Sequence, residues 1–471
     1  MRQFTLLLLA PLTAISFGQI KPVESYIGLY LQGSKIGYSS SIERPDTLNG
    51  KAVTRTDSLT LMDAELIGTS IKLRVDSKTW QGATGGPKRM TFRLASGGLT
   101  QDLVANFREK DVVIDVDNIG KKTRTILKKP LGGDIVDDPM PLVASGKLKA
   151  GKSQKFWILD PMTVSFIQNE IRLAGTEHIQ TANGTVNATL VEILDPRSST
   201  KVYLSPKGDF IKAVSGIGIE MRPVTKAEAL AKNGEGAVTP DLAEATRIVP
   251  VGQIPDARFV KSVKLEIKGR DLTGIPNDPH QTVSGAGEAW SVAIHPVIMN
   301  RSQKLDKLAL ADKTWVKPSL HIPADSPRFQ ALAKRLVGNS KNLGEAADAI
   351  HNFVHARMRP NAGMGVLRNA NQVLDSKEGV CRDYAILTAT LFRAAGIPAR
   401  LAGGMIYAED AFFYHAWAEI WDGSQWVGVD TTLPERQMSA THLKLANGNV
   451  DAAFAFTFLE RATITVTEVK R

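Results

Sequence analysis

From Tyr26 to about Val224 the chain is a succession of short alternating apolar and polar runs, broken by Gly, Asn, Asp and Pro. Such runs favour strands: one pleated face collects the apolar side chains, and the punctuating residues turn the chain back. Ser25–Leu31 leads through a turn at Gly33-Ser34-Lys35 into Ile36-Gly37-Tyr38. Further strands are expected over 58–66, 70–75, 90–94, 112–116, 186–194 and 201–204. The region must be a many-stranded antiparallel domain, either a sandwich or a curved sheet. Residues 227–232 read as a short helix and 233–256 as a polar linker bearing Gly and Pro. A second β-rich block follows, with its best strands at 260–268 and 289–298.

The texture changes after Asp325. Ser326-Pro327 opens a helix, with Ser as cap and Pro at the first helical position. A second helix over 343–358 carries Leu343, Ala346, Ala347, Ile350, Phe353 and Val354 on one stripe and ends at Pro360. The expected order is a leader (1–18), a β-rich domain (19–232), the linker (233–256), a small β-rich domain (257–324), an α+β domain (325–445) and a terminal strand segment (446–471). The fold class is multidomain, with antiparallel β-rich domains followed by an α+β domain.

Arg2, the apolar run Phe4–Ile15 and the small residues Ser16 and Gly18 make a signal peptide. That run is too short to anchor in a bilayer, and no other segment is long enough. No Cys follows the leader, so a lipid-modified N-terminus is excluded. The expected product is exported, periplasmic or secreted, without stable membrane insertion. With 58 Lys+Arg against 48 Asp+Glu the net charge is +10. An anionic partner such as an envelope polymer would suit that charge, as would a merely solvated surface. No nucleic-acid partner is implied, and the oligomeric state is open. One Cys forms neither an intramolecular disulfide nor a thiolate-rich zinc site.

That lone residue, Cys381, precedes a run of helix formers from Ala385 to Ala395, with Gly396 at the capping position and Pro398 blocking continuation. It therefore starts a helix, where unpaired N–H groups favour a thiolate. A buried structural Cys is the bland alternative, but a lone exported thiol is an oxidation hazard. Downstream, Tyr414–Trp421 and Ser424–Asp430 flank Asp422-Gly423, a strong hairpin signal. A two-residue turn there pairs Trp421 with Ser424 and sets His415 directly opposite Asp430, at carboxylate–imidazole distance. A turn displaced by one residue is expected to destroy that alignment.

Gly379-Val-Cys381, Leu391-Phe-Arg-Ala-Ala-Gly-Ile-Pro-Ala-Arg400, His415-Ala-Trp-Ala-Glu419 and Trp426-Val-Gly-Val-Asp430 resemble the transglutaminase-like superfamily, in its bacterial, papain-related branch. The resemblance covers about Asp325 to Ala440. It implies a helix carrying Cys381 as nucleophile, packed on an antiparallel sheet carrying His415 as base and acid and Asp430 as the residue orienting it. An oxyanion site needs two donors. The Cys381 N–H is one, and Asn371 and Gln372 are weak candidates for the other.

Other features weigh less. His351 and His355 stand four apart on a helix but lack the Glu of a metalloprotease motif, so packing or surface histidines are expected. Asp137-Asp138 are too close for a glycosidase pair. Trp417, Trp421 and Trp426 either line a cleft or pack the hairpin. No cofactor or metal is expected. The expected function is an exported thiol enzyme acting on amide bonds through a Cys thioester, as a transglutaminase, peptidase or amidase. Its partner is a protein or peptide-containing envelope substrate. The rival is a non-catalytic envelope-binding protein that uses the last domain as a scaffold.

Overall fold

The computed structural model describes residues 22–83, 86–118, 120–146, 148–181, 184–196, 198–231, 239–308, 313–363, 366–450, 459 and 462–471. The leader, residues 233–238 of the expected linker and nearly all of 451–461 lie outside the described residues. The chain divides into two compact units, one of residues 3–245 with 363–367 and the other of 246–362 with 368–471. No helix among the described residues is long and apolar enough to cross a membrane.

The first unit answers the choice left between sandwich and curved sheet. Fifteen strands form one hydrogen-bonded sheet. From Val23–Leu31, the strands up to Lys121–Lys128 follow one another outward as neighbours. On the other side of Val23–Leu31 lies Ile219–Pro223, from which the order runs back down the sequence to Asp134–Ile135. Strands are longer than the sequence runs suggested, because the first turns are tight. Gln32-Gly33, Asn49-Gly50, Ile67-Gly68 and Gly97-Gly98 all have positive φ at both positions. Those are the backbone angles of two-residue turns whose twist matches the flanking strands.

In the second unit, Ser262–Lys268, Gln281–Ala286 and Ala289–Ile294 make an antiparallel sheet with Thr463–Lys470 at its edge. The small block at 257–324 and the terminal strand segment are therefore parts of one sheet. Among the described residues their apolar face shares its core with the strands that follow. Val263, Leu265, Ile267, Val292, Ile294 and Ile464 pack in one cluster with Met405, Tyr407, Phe412, Leu443 and Leu445. So few strands bury little apolar area alone, and sharing a core supplies the rest. The end of the expected linker is also used. Ile248 exchanges two backbone hydrogen bonds with Phe412, and Val251 N–H donates to Ile464.

The expected helices form. Ser326 Oγ caps Pro327–Val337, and Asn342 Oδ1 accepts the Glu345 N–H at the start of Leu343–Arg357. The helix Cys381–Ala394 ends in a Schellman arrangement: Ile397 N–H donates to Phe392 O and Gly396 N–H to Arg393 O, with Gly396 at φ +78°. That helix packs against a four-stranded antiparallel sheet ordered Trp426–Val429, Ala411–Trp421, Ala399–Ala408, His442–Gly448.

Candidate active site

Cys381 is the first residue of its helix and is partly exposed, whereas Arg382 through Arg393 are buried. The helix start is built from beneath. Asp383 Oδ2 accepts the Val380 N–H at 3.0 Å and pairs with Arg368 at 3.1 Å, both side chains being buried. Arg368 is held in turn by Ser376 Oγ at 2.7 Å and Glu378 O at 2.6 Å. Gly379 is required by this packing. A Cβ there would stand 2.6 Å from Asp383 Oδ2 and 2.7 Å from an Arg368 nitrogen. Gly379→Ala should therefore cost about 1–3 kcal/mol in urea unfolding and slow alkylation of Cys381. An unchanged midpoint and rate would mean the Arg368–Asp383 pair can give way.

Opposite the thiol stands His415, buried on the inner strand Ala411–Trp421. Its Nε2 lies 2.7 Å from Asp430 Oδ2, and the ring shares a hydrogen bond with the Cys381 thiol. With Nε2 facing Asp430, Nδ1 is the nitrogen left for sulfur. Burial, the largest single influence, would lower the imidazole pKa, but the charge and hydrogen bond of Asp430 together with those of Cys381 outweigh it and push His415 up to about 10. Burial raises the thiol, while the hydrogen bond and charge of His415 and the Ala416 N–H lower it below the ordinary thiol value. Burial also opposes ionisation of Asp430, yet the His415 imidazolium holds its carboxyl well below the usual range.

The hairpin register differs from the sequence expectation. Trp421 pairs with Trp426 and Ala418 with Val429, so His415 is not directly opposite Asp430, which lies just beyond the last pair. The cause is the Asp422 side chain. Its Oδ1 accepts from Ser424 N, Ser424 Oγ and Gln425 N, each at 2.9 Å, which centres the turn on Gly423-Ser424. Displacing a turn by one residue moves every partner by two, and two is the period of a strand. Face is preserved, and the side chains meet. The expectation that such a slide would separate them is wrong.

Residues 330–431 match the family model described as Transglutaminase-like superfamily. They span the Cys381 helix, the His415 strand and Asp430. This stretch is a transglutaminase-like domain. Residues 31–219 match a second model, Protein of unknown function (DUF3108). The chain is 38% identical over 130 residues to a protein-glutamine gamma-glutamyltransferase of Pseudomonas aeruginosa, which is 24% of this chain and 19% of that one. It is 26% identical over 162 residues to an uncharacterised protein of Mycobacterium leprae, covering 31% and 57% respectively. The matches thus span only part of both relatives. A candidate cysteine protease from Cytophaga hutchinsonii aligns at 19% identity over 45% of this chain and 89% of its own, with a TM-score of 0.33.

Around the transglutaminase-like centre the structure adds partners that sequence reasoning missed. His442, fully buried on the edge strand His442–Gly448, places Nε2 3.1 Å from the same Asp430 Oδ2. Asp430 Oδ1 accepts Thr432 N at 2.9 Å and Thr432 Oγ1 at 2.6 Å. No motif marks His442; only the pairing of its strand with Ala399–Ala408, shifted at Gly403/Gly404, brings it in. His415, Asp430 and His442 have ligand-type atoms within 4.8 Å of one another, close enough to share an ion. Here both imidazoles hydrogen-bond to one carboxylate oxygen.

His351 and His355 also find a use. They bond the main-chain oxygens of Asp430 and Thr431 at 3.2 and 3.1 Å, tying the helix Leu343–Arg357 to the segment that carries the carboxylate. Trp417 is core, stacked on His415 at 6.2 Å between centroids and wedged with Ala402 and Met438. Trp421 and Trp426 pack on each other, edge to face. Gln372 Oε1 accepts the Asn369 N–H in a capping box, and Asn371 N donates to Asn369 Oδ1. The weak oxyanion candidates thus serve, through these atoms, to start the helix Ala370–Ser376.

Proposed function

We propose that this protein is an exported thiol enzyme that cleaves or transfers amide-linked acyl groups of a protein or peptide-containing envelope substrate. The observation that carries the reading is the hydrogen-bonded series Cys381–His415–Asp430, with the thiol at a helix start. The Cys381 thiolate adds to the amide carbonyl and the C–N bond breaks. His415 delivers its proton to the departing amine, leaving a thioester on sulfur. Water or a second amine then attacks the thioester; His415 takes the attacker's proton, and the thiolate leaves. Asp430 stays ionised and stabilises the imidazolium throughout. Export rests on the Arg2, apolar-run and small-residue pattern of the leader. N-terminal sequencing of secreted material should begin near Gln19, and an intact Met1 on cytoplasmic protein would overturn that part.

The test of the chemistry is labelling of the reduced protein with an electrophilic amide mimic, followed by mass mapping to Cys381. Failure of the wild type to label, or equal labelling of Cys381→Ala, would overturn the proposal. The pH dependence has a definite sign. The thiol is lowered, so alkylation should reach its plateau below the free-thiol value of about 8.5. His415 is raised, so turnover, which needs the imidazolium, should fall only near about 10. His415→Ala should move the alkylation curve upward. Coincident curves for both proteins, at the free-thiol position, would leave Cys381 a structural residue.

A further inference from the structure

A carboxylate offers about four lone-pair directions, and at Asp430 all four are met by donors. Oδ1 takes both Thr432 groups, and Oδ2 takes His415 and His442. The second imidazole is itself held in place. Its main-chain oxygen bonds His280 Nε2 at 2.6 Å, and its ring meets Trp417 edge to face at 5.2 Å. Trp417 stacks in turn on His415. We propose that His442 is a positioning residue whose Nε2–H occupies the second acceptor direction of Asp430 Oδ2 and fixes the carboxylate in the orientation His415 requires. This rests on reading Cys381 as the nucleophile.

The geometry sets the tautomer of His442, because only an Nε2–H can point at a carboxylate oxygen. It also sets the charge. A second imidazolium would compete with His415 for one oxygen, and burial disfavours the cation, holding the His442 pKa below the ordinary histidine value. The titratable groups around it are Asp430, His415 and, through the main-chain oxygen, His280, which burial pushes down to about 4. A neutral donor orients Asp430 without cancelling the charge that His415 needs.

The test uses the full chain and the rate of Cys381 alkylation against pH. His442→Phe keeps a ring and removes the N–H. It should lower the rate at pH 7 on the order of tenfold, the loss expected for one charge-assisted hydrogen bond, and displace the pH profile. His442→Gln restores an N–H at similar reach and should recover most of the rate. A folded His442→Phe protein with the wild-type rate and profile would overturn the inference while leaving the nucleophile reading intact. Failure of Gln to rescue where Phe is impaired would assign the effect to packing on Trp417 and also overturn it. Should both variants misfold, imidazole ¹⁵N shifts of the wild type decide. A neutral Nε2–H ring from about pH 5 to 8 supports the role; titration near 6.5 or an Nδ1–H tautomer excludes it. A wild-type thiol titrating at the free value would overturn the nucleophile reading, and this inference with it.

Discussion

Asp430→Asn should leave a folded protein whose turnover is reduced about 10²–10⁴-fold, by analogy with other triads whose carboxylate loses its charge. Two losses combine. The imidazolium of His415, raised to about 10 chiefly by the Asp430 charge against burial, loses that support at 2.7 Å. An amide also cannot satisfy this pocket, because all four partners of the carboxylate come in as donors. If the Asn oxygen faces His415 and His442, its NH₂ group meets the Thr432 N–H, which has no acceptor to offer. Turning the amide over sets the same NH₂ against two imidazole donors. The conflict should cost about 1–3 kcal/mol of stability, so urea unfolding belongs beside rates of acylation by the amide mimic. Wild-type acylation in Asp430→Asn, with His415 still essential, would place the orienting group elsewhere.

The elements that were legible in the sequence are those whose signals are local. The Cys381 helix was readable at both ends, because a Gly at the capping position followed by Ile397-Pro398 dictates a Schellman stop. The hairpin was readable in kind but not in register. Asp422-Gly423 advertises a turn centre, yet the Asp side chain moves the centre one residue on by capturing Ser424 and Gln425. His415 still meets Asp430 because strand faces repeat every two residues. Strand lengths in the first unit were harder. Asn49-Gly50 carries a turn signature, but Gln32-Gly33 and Ile67-Gly68 do not, although they adopt the same backbone. The pairing of Val23–Leu31 with Ile219–Pro223 joins the two ends of the sheet's sequence, and no local pattern encodes it. The place of His442 is not encoded locally either. Its role comes from a strand pairing, not from a spacing.

The largest expected effect on stability belongs to Glu419, a carboxylate only 1% exposed, on the His415 strand. Its Oε1 takes Lys444 Nζ at 2.6 Å and its Oε2 takes Arg400 Nε at 2.7 Å. Lys444 is fully buried, and its Nζ also reaches Asp278 at 2.5 Å. Gln281, buried as well, bonds the main chain of Lys444 in both directions, at 2.7 and 2.9 Å. The network thus fastens Asp278 and Gln281 to the strand that presents His442. Glu419→Ala would leave the Lys444 ammonium buried with one anion instead of two and cut Arg400 from its closest carboxylate. Removing one partner of a buried pair costs about 3–5 kcal/mol, because the stranded charge cannot reach water. Lys444→Met should cost less, since Glu419 keeps Arg400, while Asp278, a quarter exposed, keeps some contact with solvent. The double variant should then be less destabilised than the two single losses added together, the sign of a direct coupling. Urea titrations of all three proteins followed by tryptophan fluorescence measure this. A Glu419→Ala loss under about 1 kcal/mol, or strict additivity, would mean that water reaches Lys444 and that the strand carrying His442 is held by its apolar face alone.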